Sequence, residues 1–242
     1  MADTTTTTSF GELTRTHLAA VEAANAASVD AAATAILATI EAGATVYTAG
    51  AGHSLAAVAE TFYRAGGLAC VRPLYHRDLL PMHGARSSTF AERRPGLAAE
   101  VLASITLTRD DTLVVFSHSG INPYPVELAE AGRAAGCRVI AVTSQIASAN
   151  APRRAHSTVA EQADVVLDTL VPPGDAAYPV EAPATGPLSS LTTGFLWNLV
   201  LVALHDRSTA ELPRWRSANV AGGDEANRVL FDEQLVSVPE LG

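Results

Sequence analysis

The sequence predicts an α/β protein: a three-layer α/β/α sandwich around a mainly parallel central sheet, flavodoxin-like, with extra helices at both ends. Three observations carry that expectation. Five short segments rich in β-forming residues, "ATVYTAG", "LACVRPL", "TLVVFS", "RVIAVTS" and "DVVLDT", recur along the chain, and runs this short and apolar are typical of strands buried on both faces. Stretches with apolar residues at helical spacing separate most of them, the alternation of a parallel sheet with crossover helices. The 242 residues, 48% of them hydrophobic, can build a sizeable core without disulfide staples.

Taken in chain order, the threonine run at residues 4–8 has no apolar periodicity. Residues 1–8 are therefore expected to be disordered, with one domain over residues 9–242. Residues 10–42 are alanine-rich with helical spacing, and two helices broken near "ASVD" are expected there. The strands follow, beginning at "ATVYTAG". Beyond the fifth comes a proline-rich loop from Pro172 to Pro187, then an apolar helix near Leu188 to His205 and an amphipathic segment near Asp224 to Leu235. The run "GFLWNLVLVAL" inside the apolar helix is too short to span a bilayer and contains Asn198, so it reads as buried helix.

Composition narrows the function. A net charge of −9 argues against a nucleic-acid backbone, which is held by clustered cations. A small molecule or another protein fits better, and no membrane is called for. Only Cys70 and Cys137 are present, and "MADTTTTTSF" lacks the basic and apolar regions of a secretory signal, so a cytoplasmic, reduced protein is expected. All sixteen basic residues are arginine. The missing lysine excludes Schiff-base aldolases, pyridoxal-phosphate enzymes and Walker phosphate loops. No HxH, HExxH or CxxC spacing occurs, and neither a metal nor a cofactor is expected.

Three strand ends concentrate small polar residues: "TAGAGHS" at residues 48–54, "FSHSGIN" at 116–122 and "VTS" at 142–144. Ligands of open parallel sheets bind outside the carboxyl ends of the strands, where glycine admits close backbone approach and helix N-termini aim N–H groups outward. Ser54, Ser117, Ser119 and Asn122 can there form a neutral cradle for an anion, without lysine. The plainer alternative is that Ser119 and Asn122 merely cap the helix begun by Pro123. "GAGHSL" is a poor dinucleotide fingerprint, since Leu55 stands at the third glycine and no acid ends the next strand. Ser119, Asp168 and His205 follow the order of an α/β-hydrolase triad, but Ser117 occupies the first glycine of GxSxG.

"GAGHS", "SHSGIN" and "VTS", in this order and spacing, resemble the sugar isomerase (SIS) domain, a phosphosugar-binding α/β/α sandwich, over about residues 30–205. "FYRAGGLA", "PPGDA", "GPLSSLTTGFLWN" and "SANVAGGDEANRVL" resemble one phosphosugar-binding SIS subfamily and extend the likeness over nearly the whole chain. The resemblance implies a sugar-phosphate clasp of Gly52, His53, Ser54, Ser117, His118, Ser119, Asn122 and Ser144. SIS relatives isomerise sugar phosphates, cleave the ether of N-acetylmuramic acid 6-phosphate, or sense sugar phosphates in regulators.

Chemistry at such a sugar begins with a base at the C2 proton. The candidates are Glu181, Glu92, Glu60 and Glu225, with His83, His53, His76 and His118 as proton carriers. The position where SIS relatives carry a base on the helix after "GAGHS" is Arg64 here, so that assignment does not transfer to Glu60. "GPLSSLTTGFLWNLVLVAL" is similar to the corresponding helix start in N-acetylmuramic acid 6-phosphate etherases. The expectation is therefore a lyase or dehydratase that removes the C2 proton of an N-acetylhexosamine 6-phosphate and expels the C3 substituent, with Glu181 and Glu92 as its acid and base. Aldose–ketose isomerisation and non-catalytic sensing are the alternatives, although a sensor would ordinarily add a basic DNA-binding module that this chain lacks. A homodimer is expected, because SIS domains commonly pair and the two apolar helical regions exceed what one sandwich face covers.

Overall fold

The computed structural model describes residues 8–242. The expected disorder of residues 1–8 therefore lies, apart from Thr8, outside the described residues. The chain opens with α1 (Phe10–Glu41), followed by β1 (Val46–Gly50), α2 (Leu55–Thr61) and β2 (Val71–Leu74). Then come α3 (Ala85–Arg93), α4 (Leu97–Leu102), β3 (Thr112–Phe116), α5 (Pro123–Ala135) and β4 (Arg138–Thr143). After α6 (Gln145–Asn150), α7 (Val159–Gln162) and β5 (Val165–Asp168), the chain forms β6 (Ala176–Tyr178), β7 (Thr185–Pro187), α8 (Ser189–Arg207) and α9 (Gly223–Gln234).

The five expected strands form one parallel sheet in the order β2-β1-β3-β4-β5. Every residue of β1 and β3 is buried, which is why these segments read as continuous apolar runs rather than as alternating ones. Helices α1, α2 and α8 pack together in one layer, and α3, α4, α5 and α7 in the other. The proline-rich loop contains a short antiparallel pair, β6 with β7. Beyond α8, Trp215 packs edge-on against Tyr63 and tilted against Phe231, ring centroids 5.0 and 4.9 Å away, and so ties α9 to the turn after α2.

The expected break at "ASVD" does not occur: α1 is one helix of 32 residues. The segment has neither proline nor glycine, and tertiary contacts hold the helix through it. Ser9 caps its start by accepting from the Glu12 N–H. Asn25, which reads as a weak helix former, is buried, and its side chain is the bolt to the sheet. Its amide donates to the carbonyls of Val21 (2.7 Å) and Asp168 (2.8 Å), and its oxygen accepts from the Asp168 N–H at 2.7 Å. By length and composition α1 is the one helix among the described residues apolar enough to cross a bilayer. Its inward residues Val21, Val29, Ala32, Ala33 and Ile36 are buried, and the helix packs against α8 and β5.

Asn25→Ala is expected to leave the Asp168 backbone N–H and carbonyl without their partner in a buried seam. Each group left unsatisfied costs about 1–3 kcal/mol, so urea unfolding should show a loss of at least that size. An unchanged midpoint would mean that α1 docks by apolar contact alone.

Candidate active site

Strand order reverses between β1 and β3, which are neighbours, and the helices that follow them, α2 and α5, enter opposite layers. The two chains diverge and leave a crevice at the carboxyl ends of the strands, the usual ligand position in this topology. A cleft of about 290 Å³ lies there, lined by Ala51–Ser54 after β1 and by Ser117, His118, Ser119 and Asn122 after β3. Glu92 from α3, Thr169 after β5, Asp175, and Ser189, Ser190 and Thr193 of α8 complete its wall.

Both loops depend on a glycine. A Cβ on Gly50 would stand 2.9 Å from the Ser54 carbonyl oxygen, so the tight turn into α2 excludes a side chain. Gly120 has φ +62°, and its N–H donates to Ser117 Oγ at 3.2 Å. Because that oxygen accepts, the Ser117 hydroxyl proton is free to face a ligand. The backbone of His118 is fixed by donors from the end of β4: its carbonyl accepts from Ser144 N–H (2.9 Å) and Thr143 Oγ1 (3.1 Å).

The capping alternative fails on geometry. Asn122 occupies the position before α5, but its side chain makes no cap bond. Its oxygen instead accepts from Arg154 Nη1 at 3.1 Å, which turns its amide nitrogen toward other partners.

Two titratable groups in the cleft are held away from their usual charged forms. Burial pushes the Glu92 carboxyl up, against the opposing pull of Asn122, Arg93 and Arg154. Burial pushes the His118 imidazole down, opposed by the Asp175 charge and by the Pro172 carbonyl, which lies near but outside hydrogen-bond geometry. Neither ring nitrogen of His118 has a hydrogen-bond partner. The cleft thus holds a carboxylate with heightened proton affinity and a neutral imidazole with an uncommitted donor and acceptor.

The other candidates are placed elsewhere. His53 is exposed at the rim of the cleft. Ser144 is buried, donates to the Val171 carbonyl at 2.6 Å and accepts from the Ala147 N–H, which makes it the cap of α6. Glu60 is paired with Arg64 at 2.7 Å and faces a different cleft. Glu181 is exposed between β6 and β7, and His83 is exposed with Nδ1 3.1 Å from the Arg77 carbonyl. Neither lines the site. Glu225 is exposed and paired with Arg228. The hydrolase triad is not assembled: Asp168 accepts from the Gln145 and Leu170 N–H groups, and His205 contacts Arg214.

Thr169, Asp175, Ser189, Ser190 and Thr193 escaped the sequence reading as site residues. The Asp175 carboxylate accepts from the N–H groups of Leu188 (3.0 Å) and Ser189 (2.8 Å) and from Ser189 Oγ (2.6 Å). It caps α8 and points the first turn of that helix at the cleft. The available signal was the hydroxyl-rich start "LSSLTT" of an otherwise apolar helix.

Residues 9–144 match the family model described as SIS domain. The chain belongs to the SIS domain family. UPF0309 proteins of Brucella canis and Brucella abortus are each 35% identical to it over 220 residues, covering 89% of this chain and 90% of theirs. Among solved structures, a phosphoheptose isomerase from Neisseria gonorrhoeae aligns with TM-score 0.54 and 15% identity, over 78% of this chain and 92% of that one. A phosphoheptose isomerase from Francisella tularensis aligns with TM-score 0.53 and 17% identity, over 86% and 100%. These likenesses establish the shared fold. Both cleft loops lie inside the matched SIS region, whereas Asp175 and the start of α8 lie beyond it.

A carboxyl whose folded pKa is raised binds its proton more tightly in the native state. Its stabilising contribution is therefore complete below the unfolded value of 4.5 and is lost as pH rises through the folded value. Glu92→Gln removes that loss. Urea unfolding should find the variant at least as stable as the parent at pH 8, with the advantage shrinking toward pH 4; a variant less stable at pH 8 would show that the carboxylate is stabilised where it sits.

Proposed function

We propose that this SIS protein is a cytoplasmic enzyme that binds an open-chain sugar phosphate in the cleft and moves the proton on its C2 carbon. One observation carries the reading: Glu92 and His118 face the same cleft as the small-residue loops, with burial raising the proton affinity of the carboxylate and favouring the neutral imidazole. The hydroxyls of Ser54, Ser117, Ser119 and Ser190, together with backbone N–H groups, hold the phosphate. Glu92 takes the C2 proton, and the electron pair forms the C1–C2 double bond of an enediol as O1 is protonated. His118, with one nitrogen free to donate and one to accept, moves a proton between O1 and O2. Return of the carbon-bound proton to C1 completes an aldose–ketose isomerisation. The fold shared with two phosphoheptose isomerases fits this order of events. Both cysteines are buried free thiols, which suits a reducing compartment.

Elimination is the second reading. It needs an acid for the departing C3 oxygen, and Glu181, the expected partner of Glu92, lies outside the cleft. Asp175 is occupied in capping α8. Elimination would therefore use Glu92 for both proton transfers; what favours it is that the etherase-like segment "GPLSSLTTG" contributes Ser189, Ser190 and Thr193 to the cleft wall.

Hexose, heptose and N-acetylhexosamine phosphates incubated with the protein in deuterated water should include one that exchanges its C2 proton. A ketose product marks isomerisation, and a new vinyl proton marks elimination. Glu92→Gln should slow the exchange by about 10²–10⁴-fold, the usual worth of a general base, while phosphate binding persists. Ser117→Ala with Ser119→Ala should weaken binding by roughly 1.5–3 kcal/mol for each hydroxyl removed from the phosphate. Binding without exchange across the whole panel would defeat the enzyme reading and leave a sensor.

Pairing of two copies is part of the proposal. Ala19, Ala20, Ala23, Ala24, Ala26 and Ala27 on α1 and Leu191 and Val202 on α8 are exposed, an apolar surface on one layer that a second copy would cover. Light scattering should give about twice the 25.1 kDa chain mass; a monomer at micromolar concentration contradicts it.

A further inference from the structure

A second cleft of about 270 Å³ lies between the end of α2, the middle of α8 and residues 213–215, with Glu60, Arg64, Trp197, Asn198, His205 and Arg214 in its wall. Its floor is well determined by backbone pairing. Gly66 N–H donates to the Trp215 carbonyl and Ala69 N–H to that of Pro213, both at 2.8 Å, so Arg214 is held in place between two tied residues.

The polar groups here do not balance. Trp197 is 3% exposed, and its indole N–H has no acceptor. Arg214 Nη2 is likewise shielded from water without a partner. Its Nη1 lies 3.2 Å from His205 Nδ1; because a guanidinium only donates, Nδ1 accepts and the neutral ring carries its proton on Nε2, one more donor. The carboxylate in the wall, Glu60, is already engaged by Arg64 at 2.7 Å. Asn198 turns its amide nitrogen back to the Gly194 carbonyl. Buried donors in native proteins are nearly always satisfied, and an unsatisfied one needs an explanation.

We propose that this cleft is a second anion site: a shift of the Trp197 and Arg214 side chains, whose donors are closed to water in this conformation, lets Trp197 Nε1 and the guanidinium take the oxygens of a small carboxylate or phosphate monoester, with His205 and Arg64 at the mouth. The site is separate from the catalytic cleft but shares both of its helices. Ser54 precedes α2 and Glu60 is near its end; Ser190 lies in the first turn of α8 and Trp197 two turns further on. Occupancy of the second cleft therefore bears on the elements that position the clasp. The unpaired donors are present whatever reaction the first cleft performs.

The test follows the indole N–H of Trp197 by ¹⁵N-edited NMR, with Trp215→Phe used to identify its resonance. Titration with inorganic phosphate and, separately, with succinate should move that resonance saturably for at least one of them, and which one acts distinguishes a phosphate site from a carboxylate site. Arg214→Gln should weaken the response about tenfold or more, as expected when a charge-assisted hydrogen bond is removed. The response should persist in Ser117→Ala with Ser119→Ala, which disables the first cleft. If neither anion moves the Trp197 resonance at millimolar concentrations, or if the movement vanishes in the double serine variant, the second site does not exist.

Discussion

The parallel pairing of β1 with β3 is the constraint on which everything else rests. Parallel neighbours both end on the same edge of the sheet, and when their following helices must cover opposite faces, no chain crosses the gap between them. The gap is the cleft. Its walls are consequently strand-to-helix turns, where backbone N–H groups are least occupied and side chains are short. A Cβ at Gly50 would press on the Ser54 carbonyl, and Gly120 takes a left-handed conformation. These glycines are the local cost of turning so soon after a buried strand.

The absence of lysine gives the cleft its character. A lysine would place a point charge there; the cleft instead presents hydroxyls and the start of α8. The cleft itself contains carboxylates, Glu92 and Asp175, and the positive charge near Glu92 comes from Arg93 and from Arg154, the latter committed to Asn122. Desolvation then acts in complementary directions. It favours the protonated form of Glu92 and the deprotonated form of His118, because burial penalises the charged form of either group.

Helix α8 links the parts of the molecule. Its first turn closes the cleft under the cap of Asp175, its inner face packs on α1, and its middle carries Trp197 into the second cleft. A single helix can do this because the turns beyond its hydroxyl-rich start are anchored by Leu196, Val200 and Leu204 in the core.

By itself the sequence determined the five strands, their parallel arrangement and the two small-residue loops that line the cleft. These are local properties: a buried strand has to be apolar at every position, and a ligand-binding turn has to be small and polar, so both leave a readable run of residues. Tertiary structure alone decided the rest. Glu92, Glu60 and Glu181 look alike in sequence, yet one faces the cleft, one is paired with Arg64, and one is exposed, because helix rotation and loop path are set by packing. Ser144 reads as part of the clasp until the Val171 carbonyl, 27 residues away, takes its hydroxyl. The helix α1 runs through "ASVD" unbroken because Asn25 finds its partners on β5, 143 residues further on. No local pattern encodes such pairings, since neither partner has any signal of the other until the sheet brings them together.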